Sequence, residues 1–393
     1  MYKPKVLFPF TEAGLGHIMP LRAILDAFRS KYGDRVEIVE SWFFKDSGNL
    51  PLKRFEEAMC LVVKEQNKHN KFGMATTWAM NFFGRRLGMW YTMHSLSPFS
   101  VSAGIRQMEK LAPDLVVSTH WATHYYARHA KNKPLTAMYC PDAHINPLFA
   151  YPSDLTLLSM RPGFEMAKAQ YRHLTDENLR LVPFCIRKEA FDIPADKAVN
   201  REKMGLPQDK FTIVLAEGGY GIGKMQAICE EILRRDLPVT LIPVCGKNEE
   251  LYNHFKSLPV GENVTFLPQG YSQDILYYIA SSDLFLGKSG NIIAEPTFYG
   301  VPSIITKHTT HIERIIAEYY VDTVGCALNI FEVDDIVAKI SEFLAHPEVL
   351  APLVERARAH RANYGAEKTA DEIFALLLTR FPELKEDSST ANE

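Results

Sequence analysis

The stretch from Phe285 to Thr306, FLGKSGNIIAEPTFYGVPSIIT, constrains this chain more than any other. Leu284-Phe285-Leu286 reads as a buried strand and Gly287-Lys288-Ser289-Gly290-Asn291 as a turn of small and capping residues. Ile292 to Tyr299 has the apolar spacing of a helix, which Gly300 and Pro302 end, and Ser303-Ile304-Ile305 opens the next strand. A strand, a Ser-Gly turn and a helix aim free backbone N–H groups at one place, which suits a phosphate. Glu295 lies about one turn further in, where a carboxylate could accept both hydroxyls of a ribose. An ordinary strand–turn–helix unit of an α/β fold reads the same way, so the rest of the chain must decide.

The length of 393 residues suits two domains, and 47% apolar residues can fill two cores. A net charge of −3 gives no general reason to bind nucleic acid. The six cysteines are scattered with no Cys-x-x-Cys pair, which argues for reduced thiols and against a zinc ribbon. MYKPKVLFPF lacks the apolar core of a signal peptide, and no run reaches the ~18 apolar residues of a membrane span. The expectation is a cytoplasmic protein, with room for a peripheral place at the inner face of a membrane.

Lys5 to Phe10 suits a buried first strand. Thr11-Glu12-Ala13-Gly14-Leu15-Gly16-His17 follows, and then a helix from about Ile18 to Lys31 with Leu21, Ile24, Leu25 and Phe28 on one face. Gly14 and Gly16 permit a tight turn, and Pro20 fits a first helical turn. In open α/β sheets ligands bind outside the carboxyl ends of the strands, where His17 falls. A capping histidine is the plainer reading, but a titratable group after two glycines at such an edge favours function. Val36 to Val39 is the second strand. The region from Trp42 to Gln107 carries weak strand signals, with Trp78, Phe82 and Trp90 among many aromatics and methionines and Arg85 and Arg86 between them. It reads as a helical cap or as a surface for a membrane or acyl chain. Pro113 to His120 is a strand with a polar end. His120 and His124 stand four apart without a recognisable third metal ligand, so His120 is expected to line a cleft. Leu135 to Tyr139 is the next strand, and Asp142 follows it, expected near His17. Leu181 to Phe184 closes this half.

Residues 186–205 are polar and charged and read as the linker between a first domain, 1–185, and a second, 206–366. The second half repeats the pattern. After the strand Phe211–Ala216 comes Glu217-Gly218-Gly219-Tyr220-Gly221-Ile222-Gly223-Lys224, whose N–H groups and Lys224 could meet a diphosphate. It is not a P-loop, since no Gly-Lys-Ser/Thr ends the run at the required spacing. Val239–Val244 and Val264–Leu267 are further strands, and Gly270-Tyr271 precedes a helix from Gln273 to Ala280. Alternation of strand and helix predicts parallel sheets covered on both faces. The polar tail 385–393 is expected to be disordered.

The order of these motifs resembles glycosyltransferase family 28, enzymes of the GT-B fold, and within it the monogalactosyldiacylglycerol synthases and processive diacylglycerol glucosyltransferases. The resemblance runs from about residue 5 to 330. It rests on Gly14-Leu15-Gly16-His17, the strand Pro113–His120 and Asp142 in the first half. In the second half it rests on Gly218–Gly223, Val244–Asn248, Gly270-Tyr271 and Lys288-Ser289-Gly290 with Glu295. The family implies an α/β fold of two doubly wound Rossmann-like domains facing across a cleft, with a C-terminal helix (367–384) packed back on the first. It implies transfer of a sugar from a UDP-sugar with inversion, and no essential metal or cofactor. His17 takes the place of the proposed general base, with Asp142 as its orienter or as the base itself. Glu295 takes the place of the ribose-binding glutamate, Tyr271 meets the base ring, and Ser289, Gly290 and Asn291 form the diphosphate turn with Lys224 or Lys288. The aromatic region belongs to the acceptor side.

Three departures stand out. The first loop has fewer consecutive glycines than the family. Pro296 follows Glu295, so the helix should start late or kink. Ile312 stands where the family places a glutamine on the donor sugar, which leaves Glu313 and His311 as the expected sugar contacts. Two rivals to a transferase remain: a UDP-sugar 2-epimerase on the same fold, and a non-catalytic nucleotide-sugar or lipid binding protein.

Overall fold

The structure, a computed structural model, describes residues 2–12, 15–68, 75, 82, 88–90, 93–94, 98–217 and 223–388. The described residues of 1–66, 74–188 and 365–393 form one compact unit, and those of 67–73 and 189–364 form another.

The first unit is built on six parallel strands: β1 (Lys5–Phe10), β2 (Glu37–Trp42), β3 (Leu115–Ser118), β4 (Leu135–Cys140), β5 (Leu155–Leu158) and β6 (Leu179–Leu181), in the order β2-β1-β3-β4-β5-β6. Side chains alternate across a strand, so an all-apolar strand needs cover on both faces. Val6, Phe8 and Phe10 of β1 enter one core with the helices Leu15–Tyr32 and Glu367–Leu378. Leu7 enters the other, beneath the helices Pro98–Leu111 and Trp121–His129. Helix Glu367–Leu378 places Ala370, Ile373, Phe374 and Leu377 in the first core, where Phe374 stacks on Tyr32 at 3.9 Å and 3°. Two strands escape a reading of the sequence in this region or shift in it. β5 has four residues, and β6 ends at Leu181, where the expected strand begins. Short strands give too few alternations to register.

The second unit holds β7 (Phe211–Ala216), β8 (Val239–Pro243), β9 (Thr265–Phe266), β10 (Leu284–Lys288), β11 (Ser303–Lys307) and β12 (Ala327–Asn329), again parallel, in the order β12-β11-β10-β7-β8-β9. The charged connection expected over 186–205 docks onto this unit. Arg201 donates to the Ser281 carbonyl at 3.0 Å and to Asp283 at 2.6 Å, and Asp283 also accepts from Lys197 at 3.1 Å and from the Thr212 N–H at 2.9 Å. Lys197 and Arg201 are therefore partnered side chains of a folded segment.

In both sheets the direction of winding reverses once, between β1 and β3 and between β7 and β10. Loops leaving adjacent strands at such a point diverge to opposite faces and open a crevice there. Gly287 shows how tightly the second point is built. A Cβ on it would lie 2.7 Å from the Ala216 carbonyl oxygen of β7 and 2.6 Å from the Phe285 ring. Gly287→Ala should cost about 1–3 kcal/mol as an overpacking change. Urea unfolding reads this directly, and an unchanged midpoint would mean the strands have room to part.

Candidate active site

The first unit brings His17, His120 and Asp142 to the carboxyl ends of three neighbouring strands, β1, β3 and β4. The helix after β1 begins at Leu15, not Ile18, so Gly16 and His17 lie in its first turn and Pro20 sits further inside. Thr119, just past β3, donates its hydroxyl to the His17 carbonyl at 3.0 Å and ties the two strand ends together. The His17 ring stacks on Phe149 at 5.8 Å and 13° and meets His120 edge-on at 5.9 Å. Its Nδ1 is sealed from solvent without a hydrogen-bond partner. Burial lowers its pKa, against the opposing pull of Asp142 and a backbone hydrogen bond at Thr119. A neutral imidazole near a carboxylate is the form in which histidine can accept a proton.

His120 lies beside His17 just past the end of β3. It is buried and caps helix Trp121–His129, its Nδ1 accepting from the Ala122 N–H at 3.3 Å. Burial and the neighbouring His17 push its pKa down to about 3. His124 is also committed, with Nε2 against the Pro152 carbonyl at 3.2 Å, and among the described residues no group of three or more His, Cys, Asp or Glu could hold a metal ion. Gly14, Trp78, Arg85 and Arg86 lie outside the described residues. Phe82 and Trp90 are exposed at 38% and 59%, and Trp90 stacks on His94 at 4.2 Å.

In the second unit Gly218, Gly219, Tyr220 and Gly221 lie outside the described residues, but their flanks are clear. Glu217, at the end of β7, is a buried carboxylate that the sequence reading passed over. It accepts from the Met225 N–H at 2.9 Å, at the start of helix Met225–Arg234, and from the Thr306 hydroxyl of β11 at 2.6 Å. The glycine at 223 makes room for it, since a Cβ there would fall 1.9 Å from the Glu217 carboxylate. A glutamate between a strand and a glycine run was the available signal. Lys224 bonds the Phe331 carbonyl and lies 3.7 Å from Glu332. Tyr271 is 68% exposed, open to a ring stacked on it.

The turn after β10 differs from expectation in useful ways. A single 3-10 turn, Asn291–Ile293, precedes a helix of five residues, Ala294–Phe298. Pro296 thus falls in a first turn, where its missing N–H is tolerated, and the helix starts late as its position required. So short a helix has little dipole, so an anion here would have to be met by the N–H groups of the turn itself. Gly290 has φ 150°, a conformation that favours glycine. Ser289 is buried and spent: its N–H donates to the Lys307 carbonyl at 2.8 Å and its hydroxyl to the Glu313 carbonyl at 2.6 Å. Glu313 is spent too. One carboxylate oxygen takes Lys288 at 2.6 Å, and the other takes the Thr309 N–H at 2.6 Å and its hydroxyl at 2.7 Å. His311 begins the next helix, with Nδ1 3.2 Å from Arg314. Glu295 is half-buried in the first turn of its helix.

No family model matches the chain. It is 24% identical over 319 residues to a probable monogalactosyldiacylglycerol synthase 2 of Oryza sativa, covering 76% of this chain and 65% of that one. It is 26% identical over 203 residues to a processive diacylglycerol beta-glucosyltransferase of Bacillus pumilus, covering 51% and 52%. The chain therefore spans less than two thirds of the length of these relatives. Among solved structures it matches the glycosyltransferase SnogD of Streptomyces nogalater with a TM-score of 0.58 at 15% identity, over 95% of this chain and all of that one (100%). The chain has the GT-B fold. The resemblance to the diacylglycerol glycosyltransferases is borne out as homology at 22–26% identity. The same GT-B fold is shared by the UDP-GlcNAc 2-epimerase of Neisseria meningitidis bound to UDP-GlcNAc, with a TM-score of 0.57 at 12% identity over 96% of this chain and 100% of that one. Fold likeness alone does not separate transfer from epimerisation.

Proposed function

We propose that this GT-B protein is an inverting glycosyltransferase that moves a sugar from a UDP-sugar to a hydroxyl of a glycerolipid such as diacylglycerol. The observation that carries the reading is the sequence match to diacylglycerol glycosyltransferases; a histidine whose pKa burial lowers in one unit and the glycine turn at Gly290 in the other support it. In the reaction the acceptor oxygen attacks the anomeric carbon from the face opposite the phosphate, forming the new C–O bond. The old anomeric C–O bond breaks, its electron pair leaves with UDP, and His17 takes the acceptor proton. N–H groups of the turns 218–223 and 290–291 hold the departing diphosphate, and Glu295 holds the ribose.

A lipid acceptor requires access to a membrane. Among the described residues no helix is long and apolar enough to cross one. Peripheral attachment through the region of Phe82 and Trp90 fits their exposure, and the same stretch of sequence carries Arg85 and Arg86, basic residues that contribute about 1 kcal/mol each near anionic headgroups. The test is incubation with UDP-galactose or UDP-glucose and diacylglycerol in vesicles, with and without anionic lipid, followed by mass spectrometry of the lipid. A hexosyl-diacylglycerol product is expected. Donor that is epimerised without acceptor would favour the 2-epimerase, and donor bound without turnover would favour a binding protein.

Glu295 gives a narrower check. Loss of a charge-assisted hydrogen bond to the ribose should cost roughly 1.5–3 kcal/mol, so Glu295→Ala should weaken UDP by about tenfold or more. Calorimetry showing unchanged UDP affinity would remove Glu295 from the site.

A further inference from the structure

The family resemblance leaves Glu313 as a contact to the donor sugar, but both oxygens of its carboxylate are already engaged within the fold. Three donors converge on it: the Lys288 ammonium at the end of β10, and the N–H and hydroxyl of Thr309 in the loop after β11. Its backbone joins the same two segments. The carbonyl accepts from the Ser289 hydroxyl at 2.6 Å and the N–H donates to the Thr310 hydroxyl at 3.1 Å. Lys288 and Glu313 are 13% and 15% exposed, so the pair is largely shielded from water. A surface ion pair contributes little, but a shielded one whose second oxygen is also hydrogen-bonded holds its geometry, and removing one member strands the other. One residue thus bolts the diphosphate turn, 288–291, to the loop 307–311.

We propose that Glu313 is a positioning residue for the donor diphosphate, acting through Lys288 and the Ser289–Gly290 turn, and that it does not touch the donor sugar. This rests on the UDP-sugar reading above. The two roles predict opposite patterns. A sugar contact would be felt by the UDP-sugar and not by UDP. A positioning residue is felt by UDP itself, because the turn that takes the phosphates loses its support.

The experiment is calorimetry of UDP and of UDP-sugars with the wild-type chain, Glu313→Ala, Glu313→Gln, Lys288→Ala and the Glu313→Ala/Lys288→Ala double variant. Glu313→Ala should weaken UDP by about tenfold, matching Lys288→Ala, and the double variant should be no weaker than either single one, since both remove one shared interaction. Glu313→Gln, which keeps an acceptor for Lys288 but not the charge, should fall between. Hydrogen exchange should quicken at 284–296 and 303–311 in Glu313→Ala while the rest of the chain keeps its protection, which separates a local loss from misfolding. Unchanged UDP affinity with altered preference among UDP-sugars would overturn the proposal and return Glu313 to the sugar. Additive losses in the double variant would overturn it as well. A wild-type chain that binds neither UDP nor any UDP-sugar would instead sink the donor reading itself.

Discussion

Replacing His17 with alanine should lower turnover by about 10²–10⁴-fold and leave UDP affinity within a few-fold of wild type. The size is that of a lost general base. The selectivity follows from where the parts lie: His17 belongs to the first unit, whereas the strand-end turns proposed to hold the nucleotide belong to the second. His17 also stacks on Phe149, so alanine leaves a gap. His17→Gln keeps most of the volume without a usable base, and should lose turnover equally. The pH dependence has a definite sign. The base works in its neutral form and its pKa is lowered by burial, so the acid limb of kcat/KM should lie below 6.5, the ordinary histidine value. Turnover that stays within a few-fold of wild type in both variants would make Asp142 the better base, and Asp142→Asn would then carry the loss.

The first unit should lose stability steadily as pH falls from about 6.5 toward 4. Burial lowers the His124 pKa to about 4 and the His120 pKa to about 3, with Arg128 adding to the first and His17 to the second. Hydrogen bonds donated by His124 to the Pro152 and Tyr151 backbone and the charge of Asp154 pull the other way and do not prevail. A histidine held neutral in the folded state takes up its proton near pH 6.5 once unfolded. The unfolded chain then binds more protons, so the contribution is fully present above about 6.5 and is lost as pH falls toward the folded value. Shifts of this size correspond to on the order of 3–5 kcal/mol for each histidine. Urea unfolding at pH 7, 5.5 and 4.5 should show the midpoint falling, and His124→Gln should flatten part of that slope. A midpoint independent of pH across this range would mean that the two rings stay accessible to protons in the folded chain.

The sequence carried the class of fold and the places of the main strand-end loops. Apolar runs such as Lys5–Phe10 and Leu284–Leu286 can be buried on both faces and little else, and glycine-rich turns after them mark where a parallel sheet opens. Those are local properties, and they survived folding: His17, Asp142 and the turn at Gly290 all stand at carboxyl ends of strands. What the sequence could not carry was which polar groups would be used up. Lys224, Ser289 and Glu313 have the chemistry of ligand contacts, but the fold gives their donors and acceptors to the Phe331 carbonyl, the Lys307 and Glu313 carbonyls, and Lys288 with Thr309. His120 likewise became a helix cap, and Glu217, unremarkable in the sequence, became the buried tie between β7, β11 and the following helix. The partners lie 24 and 89 residues apart for Ser289–Glu313 and Glu217–Thr306. A hydrogen bond is decided by angstroms, and sequence separation of that size holds no record of distance until the sheet order brings the strands side by side.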